Sequence, residues 1–265
     1  MARPLTGLSR AQEQRRQEAM FMRLAAAFER RFRNEIRRAK VGMSQAAVKG
    51  TGYLSAAEGE HKQRIERLLT NLYESSAEIF GGRILDAAGK SFNAHLERKF
   101  EVPQTEDFDR RMRQWIAANV GIKITQITGT THEQVLDIVR AIQAQAVIDG
   151  VGQDVVARRV QQATREQGSV LSSLRARTIA RTESHNAASA STHEAALATG
   201  IVSTKEWASA VGERTRDDHR AADGQVRAIN EPFEVGGELL MYPGDPSGSA
   251  ENTINCRCVE MLMVD

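Results

Sequence analysis

The sequence predicts an α+β protein, in which a mainly α-helical N-terminal body (residues 1–170) precedes a small C-terminal α+β domain (residues 171–265). Two observations support this prediction. Apolar residues recur at helical spacing over most of the chain before Gly200. After Gly200 this period is lost, and turn residues alternate with short runs typical of strands. We therefore expect a short antiparallel sheet packed on the last helix.

The first predicted helix spans residues 9–40 and has two contrasting sides. Its apolar residues recur every fourth position, at Met20, Leu24, Phe28, Phe32 and Ile36, which places them on one face of a helix. Eight arginines occupy much of the remainder, and we call them the basic face: Arg15, Arg16, Arg23, Arg30, Arg31, Arg33, Arg37 and Arg38. Such a face is either solvated above a packed stripe or a contact surface for a negatively charged partner.

Further helical segments are predicted up to Gly200, separated by breaks at glycine and proline residues. They lie at residues 54–80, 83–100, 108–116, 131–149 and 153–167, and from Ser172 or Ser173 to Gly200. Glycines at 42, 50 and 52 and the pair at 81–82 mark breaks. Pro103 makes residues 101–107 a linker and the best internal boundary. Thr131 and Gln134 fit a capping box that starts a helix, and residues 121–129 are either a strand or an extended connector.

The C-terminal part alternates turn signals with short segments of strand character. Gly224 follows an aspartate, Gly236 and Gly237 are adjacent, and two prolines flank Gly244. Strands are expected between these turns, at residues 201–208, 224–228, 232–235, 238–242 and 258–264.

Charge and composition narrow the class of protein. Residues 1–40 carry eleven basic and four acidic side chains, whereas residues 200–265 carry six basic and twelve acidic ones. Ends of opposite sign can contact two different surfaces. No apolar run approaches the roughly 18 residues of a membrane-spanning helix, and no secretory signal is expected. The two cysteines are separated by a single residue, so a disulfide between them could not stabilise the fold. This favours a reducing cytosol.

Cys256, Cys258 and His219 are the weak candidates for a metal site. Residues two apart in a strand point to one face, so both thiols could reach one ion with His219 as a third ligand. A fourth ligand is missing, since Asp223 precedes a glycine and reads as a turn residue. We therefore predict no metal and no cofactor.

The remaining polar clusters also favour structure over catalysis. His219 beside Asp217 and Asp218 could act as a general base, but the charged run is typical of an exposed turn or short helix. Around Arg181, Thr182 and Glu183 there is no phosphate-cradling loop or nucleophile elbow. We predict that these residues form a polar network joining their helix to the sheet. No catalytic residue is predicted, and the protein is expected not to be an enzyme.

The order of these motifs resembles a known family. An IARTE helix ending at a glycine, followed by W, RT, H, DGQ, P and NCRC, resembles the C-terminal domain of phage Mu F-like head morphogenesis proteins, also called the SPP1-type minor head family. The resemblance covers roughly Leu174 to Val264. The matching positions are Arg181, Thr182, Glu183, Trp207, Thr215, Asp223, Gly224, Asn255, Cys256 and Cys258.

One departure from the family pattern concerns the metal. Many relatives place Cys-x-x-Cys after the Thr and a His before NCRC, which is a zinc-competent set. Here the two cysteine positions are Arg216 and His219, and Thr253 stands where the histidine would be. This substitution pattern weakens the prediction of a metal site and leaves a hydrogen-bonded version of the same tie.

The resemblance implies a minor capsid protein of the virion, present in several copies and without catalytic activity. It would associate with the portal protein and support head assembly, DNA packaging or DNA ejection. Contacts with the major capsid or scaffolding protein are also implied, and no membrane. The protein would lie in the phage head near the portal, and in the host cytoplasm during assembly. The basic face is then the candidate surface for the portal or for non-specific, phosphate-directed DNA contacts.

Two other functions stay open at this point. One is a metal-dependent hydrolase or toxin-like domain that uses His219, Cys256 and Cys258. The other is a phosphate-directed DNA-binding protein led by residues 10–40.

Overall fold

The computed structural model describes residues 3–95, 105–210 and 212–264, and it confirms the predicted α+β class. The helices in this part of the chain are α1 (Arg10–Lys49), α2 (Thr51–Ser76), α3 (Gly82–His95), α4 (Thr105–Asp149), α5 (Gln153–Thr199), α6 (Asp217–Ala221) and α7 (Ala250–Thr253). The strands are β1 (Arg3–Pro4), β2 (Thr204–Ala208), β3 (Val226–Ala228), β4 (Phe233–Val235), β5 (Glu238–Leu240) and β6 (Val259–Val264).

The strands form two antiparallel sheets. The larger has the order β1-β6-β2-β3, and β4 pairs with β5 in a separate hairpin. The longest register joins β2 to β6, from Thr204 opposite Met263 to Ala208 opposite Val259. All five predicted strand regions are confirmed.

One strand, β1, lies within the predicted helical body, ahead of the first predicted helix. Two residues from the N-terminus complete the sheet edge, where the Leu5 amide donates to the Leu262 carbonyl at 2.9 Å. Two residues are too few to show the alternating pattern of a strand. The position of β1 is set instead by its pairing with the free edge of β6.

Residue contacts divide the chain into two compact units, each assembled from separated segments. The mixed unit comprises Met1–Ala26, Asn71–Ala117 and Arg181–Asp265, and the helical unit comprises Ala27–Thr70 and Ala118–Ala180. The predicted domain boundary between residues 170 and 171 stays a prediction. The predicted internal boundary at residues 101–107 lies largely outside the described residues, because α4 begins at Thr105.

In the mixed unit the sheet packs on the last part of α5. From Thr182 to His193 every residue of this helix is buried, and most side chains in this stretch are small. Ala195 and Ala196 share a core cluster with Leu262 and Val264 of β6. A helix that is buried on all sides needs side chains that let other elements approach closely, which explains the alanine- and serine-rich sequence.

The predicted break at residues 81–82 is replaced by a π-helical turn, Ala77–Gly81, which joins α2 to α3. The Phe108 ring lies against Gly81, and a Cβ at this glycine would be only 2.1 Å from the ring. The glycine therefore allows the close approach of an aromatic side chain rather than a turn of the chain.

In the helical unit the apolar stripe of α1 packs as predicted. Phe28, Phe32 and Ile36 are buried, and Met43 continues the stripe into a cluster with Val135 of α4 and Val160 of α5. The predicted loop starting at Gly42 is wrong, because α1 continues to Lys49. The chain breaks only at Gly50, which has a φ of +132°.

The predicted interruptions of the last two long helices are also wrong. Residues 121–129 and the proposed cap at Thr131 lie inside α4, and neither Ser172 nor Ser173 starts a helix within the continuous α5. The Thr131 hydroxyl donates to the Ile127 carbonyl at 3.0 Å, so it is satisfied within the helix instead of capping it. The predicted helix stops at residues 149–150 and at Gly200 are confirmed. α4 ends at Asp149 and α5 ends at Thr199, and the glycine that follows each has a positive φ.

Candidate functional site

A His–Cys cluster lies in the mixed unit and consists of His219, Cys256 and Cys258. The histidine is on α6, and both cysteines lie between α7 and β6. The His219 Nδ1 atom is 3.2 Å from Cys258 Sγ and 3.7 Å from Cys256 Sγ. The three side chains are buried, and their ligand atoms all lie within 4.8 Å of one another. The structure thus brings together the three weak metal candidates of the sequence.

Asn252 on α7 sets the tautomer of His219. Its Nδ2 group donates to the Val235 carbonyl at 3.3 Å, which turns its Oδ1 atom towards His219 Nε2 at 3.2 Å. An amide oxygen only accepts, so Nε2 carries the ring proton and Nδ1 presents its lone pair to the two sulfur atoms. This orientation leaves Nδ1 as a competent ligand or hydrogen-bond acceptor.

The two thiols differ in acidity. The hydrogen bond from Cys256 lowers the pKa of Cys258 well below its ordinary value against the effect of burial. The same hydrogen bond and burial raise the pKa of Cys256 well above its ordinary value. The pair therefore favours one thiolate sharing a proton with its neighbour, which is the charge state that a soft cation requires.

The His–Cys cluster fits a zinc ion in donor type and spacing. Two sulfurs and one imidazole nitrogen are typical zinc ligands, and tetrahedral coordination places such atoms roughly 3.5–4 Å apart. The observed separations of 3.2 and 3.7 Å from His219 Nδ1 are close to that range. Asp223, the fourth ligand considered from sequence, instead accepts from the Ser209 amide at 2.7 Å and from Arg10.

Replacing Asn252 by alanine is expected to weaken zinc binding about 10–100-fold, because an outer hydrogen bond that orients a ligating histidine contributes this much. Competition with a chromogenic chelator under reducing conditions measures the affinity. Asn252→Asp keeps an acceptor oxygen and should retain most of the affinity. Glu251→Ala, on the exposed side of the same helix, is the control. Equal affinities for the native and Asn252→Ala proteins, or no zinc binding at all, would contradict the assignment.

The α5 motif residues and two histidines tie this helix to the C-terminal segment. The Asn255 amide donates to Thr182 Oγ1 at 3.1 Å. His185 Nε2 lies 2.8 Å from the Cys258 carbonyl, and His193 Nδ1 lies 2.8 Å from the Glu260 carboxylate. Glu183 is also buried and accepts from the Tyr73 hydroxyl of α2 at 2.9 Å.

The remaining motif residues shape the surroundings of the His–Cys cluster. Trp207 is fully buried, and its ring contacts His219 edge to face with centroids 5.6 Å apart. Thr215 donates its hydroxyl to the Ala210 carbonyl. The Gly224 amide, at a φ of +77°, donates to Trp207 at 2.8 Å. Asn255 has a φ of +56°, which asparagine tolerates better than most residues.

The His219 ring is not oriented by Asp217 and Asp218, the two aspartates that precede it in the sequence. Asp217 is almost fully exposed and lies 3.9 Å from Arg220, whereas Asp218 packs against Gly236. The run forms a short helix, as predicted, but His219 itself points inward and is only 2% exposed. Its ring nitrogens contact sulfur and an amide, so the geometry supports ligation better than general base chemistry.

The basic face is available to solvent. Arg15, Arg16, Arg23, Arg30, Arg31, Arg37 and Arg38 are exposed, and Arg33 is half-buried. Within residues 3–95, 105–210 and 212–264 none of the eight makes an ion pair, although Arg31 lies 5.0 Å from the Phe28 ring centroid. Their charges are therefore not neutralised by the described part of the chain.

Sequence reasoning missed Asn252. It also missed Arg214 and Arg257, two arginines that line a cavity beside the His–Cys cluster. Asn252 follows the Ser249 cap of a one-turn helix, and nothing in that short segment signals a contact 33 residues away. The arginines stand in a segment whose net charge is acidic, so composition conceals their local clustering.

The protein thus combines long helices that carry an unneutralised basic face with a mixed α+β unit that contains the His–Cys cluster. Residues 137–261 match the family model described as Phage Mu protein F like protein. This match confirms the predicted resemblance and extends it back into α4, before Leu174.

One curated relative is the uncharacterized protein YqbB of Bacillus subtilis (strain 168), 26% identical over 214 residues. The alignment covers 79% of this chain and 63% of the relative, so the chain spans less than two thirds of that protein's length. No solved structure shows a significant match. Among the described residues, no helix is both long and apolar enough to span a bilayer.

Proposed function

We propose that this protein is a minor head protein that associates with the phage portal and supports head assembly, DNA packaging or genome delivery. The observation that carries the proposal is the family match over residues 137–261. In this function the mixed unit is a rigid structural element without catalytic activity. The major capsid or scaffolding protein and non-specific contacts with DNA are part of the same proposal.

The basic face supports a binding role for the helical unit. Arg30, Arg31, Arg37 and Arg38 project from α1 into solvent, while the opposite side of the helix is packed into the core. Unpaired surface arginines raise the association rate with an acidic partner and favour bidentate contacts with its carboxylates. We therefore assign this face to the portal contact.

A metal-dependent hydrolase is the second candidate, because the His–Cys cluster has three zinc-type ligands and a cavity beside it. Bound zinc would supply a Lewis acid there. His219, Cys256 and Cys258 would hold the ion, and Asn252 would orient the imidazole. Hydrolysis of a phosphate ester or of a peptide would favour the hydrolase over the structural function, provided that the activity is lost in His219→Ala and kept in Arg37→Glu/Arg38→Glu.

Reversing two charges of the basic face, Arg37→Glu/Arg38→Glu, is expected to weaken binding to cognate portal rings about tenfold, equivalent to about 1.4 kcal/mol. Each substitution replaces an attraction to acidic portal side chains with a repulsion. Co-sedimentation of the purified protein with assembled portal rings at physiological salt measures the effect.

The matched control is Arg140→Glu/Arg158→Glu, which changes the net charge equally. These arginines are 70% and 69% exposed and lie on α4 and α5. Equal losses in both double variants would show a general charge effect and remove the assignment of the basic face. If the native protein does not co-sediment with portal rings, the proposed portal association itself is refuted.

A further inference from the structure

A cavity of about 320 Å³ adjoins the His–Cys cluster in the mixed unit, and its lining is unusual in charge. Four arginines contribute to it: Arg181, Arg214, Arg216 and Arg257. Among its described lining residues there is no aspartate or glutamate, and the uncharged polar ones include Thr215 and Asn255. We call it the arginine cavity. An accumulation of like charges is unfavourable unless solvent or a bound anion compensates it.

The contacts of three of these arginines, Arg214, Arg216 and Arg257, leave much of their charge uncompensated. Arg216 donates to the Ile254 carbonyl at 2.5 Å, a neutral acceptor. Arg257 approaches the Glu18 carboxylate only to 3.6 Å, and both side chains are about 40% exposed, so this pair is weak. Arg214 is exposed and makes no ion pair within the described ranges.

The side-chain chemistry of the lining suits an oxyanion. Cys256 and Cys258 also form part of the lining. Guanidinium groups present planar pairs of donors that match two oxygens of one phosphate. The cavity volume lies near the lower end of the roughly 300–1,000 Å³ typical of ligand pockets, which suits a single small anionic group.

We propose that the arginine cavity binds a phosphate oxyanion, with Arg214 and Arg216 as its principal donors. Thr215 and Asn255 supply further polar groups to the same lining. Two sources present this chemistry, the backbone of DNA and a free phosphate, and the experiment below separates them. The proposal does not depend on portal association, and none of the four cavity arginines belongs to the basic face.

The test measures binding of two probes to the full chain: a fluorescein-labelled 20-base-pair DNA duplex by anisotropy, and inorganic phosphate by calorimetry at constant ionic strength. Arg214→Gln/Arg216→Gln is expected to reduce affinity for at least one probe about tenfold or more. If the probe is DNA, the slope of log affinity against log salt should shrink by up to about 2, because each phosphate contact contributes roughly 0.9.

Arg140→Gln/Arg158→Gln is the matched control, and it should bind both probes like the native protein. Arg214→Gln alone guards against a folding defect, since Arg214 makes no ion pair whose loss would loosen the segment. Loss of DNA binding with no phosphate binding identifies DNA as the source, and loss of phosphate binding with unchanged DNA binding identifies the free anion.

Unchanged affinity of Arg214→Gln/Arg216→Gln for both probes would overturn the proposal. So would failure of the native protein to bind either probe at about 150 mM salt. Neither result bears on co-sedimentation with portal rings, so the two proposals fail separately.

Discussion

Replacing Glu13 by alanine is expected to lower the free energy of unfolding of the mixed unit by about 3–5 kcal/mol. The Glu13 side chain is 3% exposed, and its carboxylate accepts from two guanidinium nitrogens of Arg83, at 2.5 and 3.1 Å. Arg83 is itself only 10% exposed. Alanine at position 13 would therefore leave the buried Arg83 cation without its counter-charge. The free-energy cost of this unpaired charge exceeds the net stabilisation that the ion pair provides.

The same carboxylate should make stability depend on acid pH. Burial raises the pKa of Glu13, but the hydrogen bonds and charge of Arg83, with hydrogen bonds from Gln17 and Thr6, outweigh it and hold the pKa below its ordinary value. A pKa that is lower in the folded state contributes stability above the unfolded pKa of about 4.3 and loses it as the pH falls through the folded value. Glu13→Gln should remove that part of the acid dependence.

Urea unfolding followed by tryptophan fluorescence measures both effects, since Trp115 and Trp207 lie in the mixed unit. Glu18→Ala is the control on the same helix. Its side chain is 43% exposed and lies 3.6 Å from Arg257, so a change within about 1 kcal/mol is expected. A Glu13→Ala effect as small as that of Glu18→Ala would contradict the role assigned to the Glu13–Arg83 pair.

Replacing Leu240 by alanine should destabilise the mixed unit by about 2–5 kcal/mol, because it removes a buried side chain and leaves a cavity. Leu240 is fully buried in a cluster with Trp207, Phe233 and Val235, which also contains both cysteines. Its neighbour Leu239, on the same strand, is 67% exposed. The two leucines therefore form a matched pair that differs in environment alone.

Leu239→Ala should change the free energy of unfolding by no more than about 0.5 kcal/mol. Urea titrations of the two variants, followed by far-ultraviolet circular dichroism and fluorescence, provide the comparison. Similar free energies for both variants would mean that the hairpin of β4 and β5 does not form part of the core. A loss of zinc affinity in Leu240→Ala alone would show that this core also positions the His–Cys cluster.

Much of the fold was predictable because its signals are local. The burial of Phe28, Phe32 and Ile36 could be predicted, since helical spacing places these residues on one face. The helix ends at Asp149 and Thr199 follow from glycines that adopt positive φ. The errors arose where a local signal had two readings. Thr131 matches a capping box, yet inside α4 its hydroxyl bonds back to Ile127.

The candidate site was only partly predictable. Cys256 and Cys258 stand two residues apart, so their proximity could be read directly from the sequence. His219 was named as a third ligand from its residue type, and its distance from the cysteines could not be read from the sequence. Asn252 and the arginine cavity carried no recognisable pattern, because each depends on contacts between segments that fold back on one another. Arg214 and Arg216 lie in the acidic end of the chain, so net charge predicted a basic surface only at the other end.

The sequence by itself determined the helical character of most of the chain before Gly200, the five C-terminal strand regions and the family resemblance, since each follows from the spacing or order of nearby residues. Only the tertiary structure decided the rest. His219 reaches Cys256 across 37 residues, Glu13 reaches Arg83 across 70, and β1 joins a strand from the opposite end of the chain. Such contacts form because packing buries apolar faces together and then selects the polar partners that those faces bring within reach.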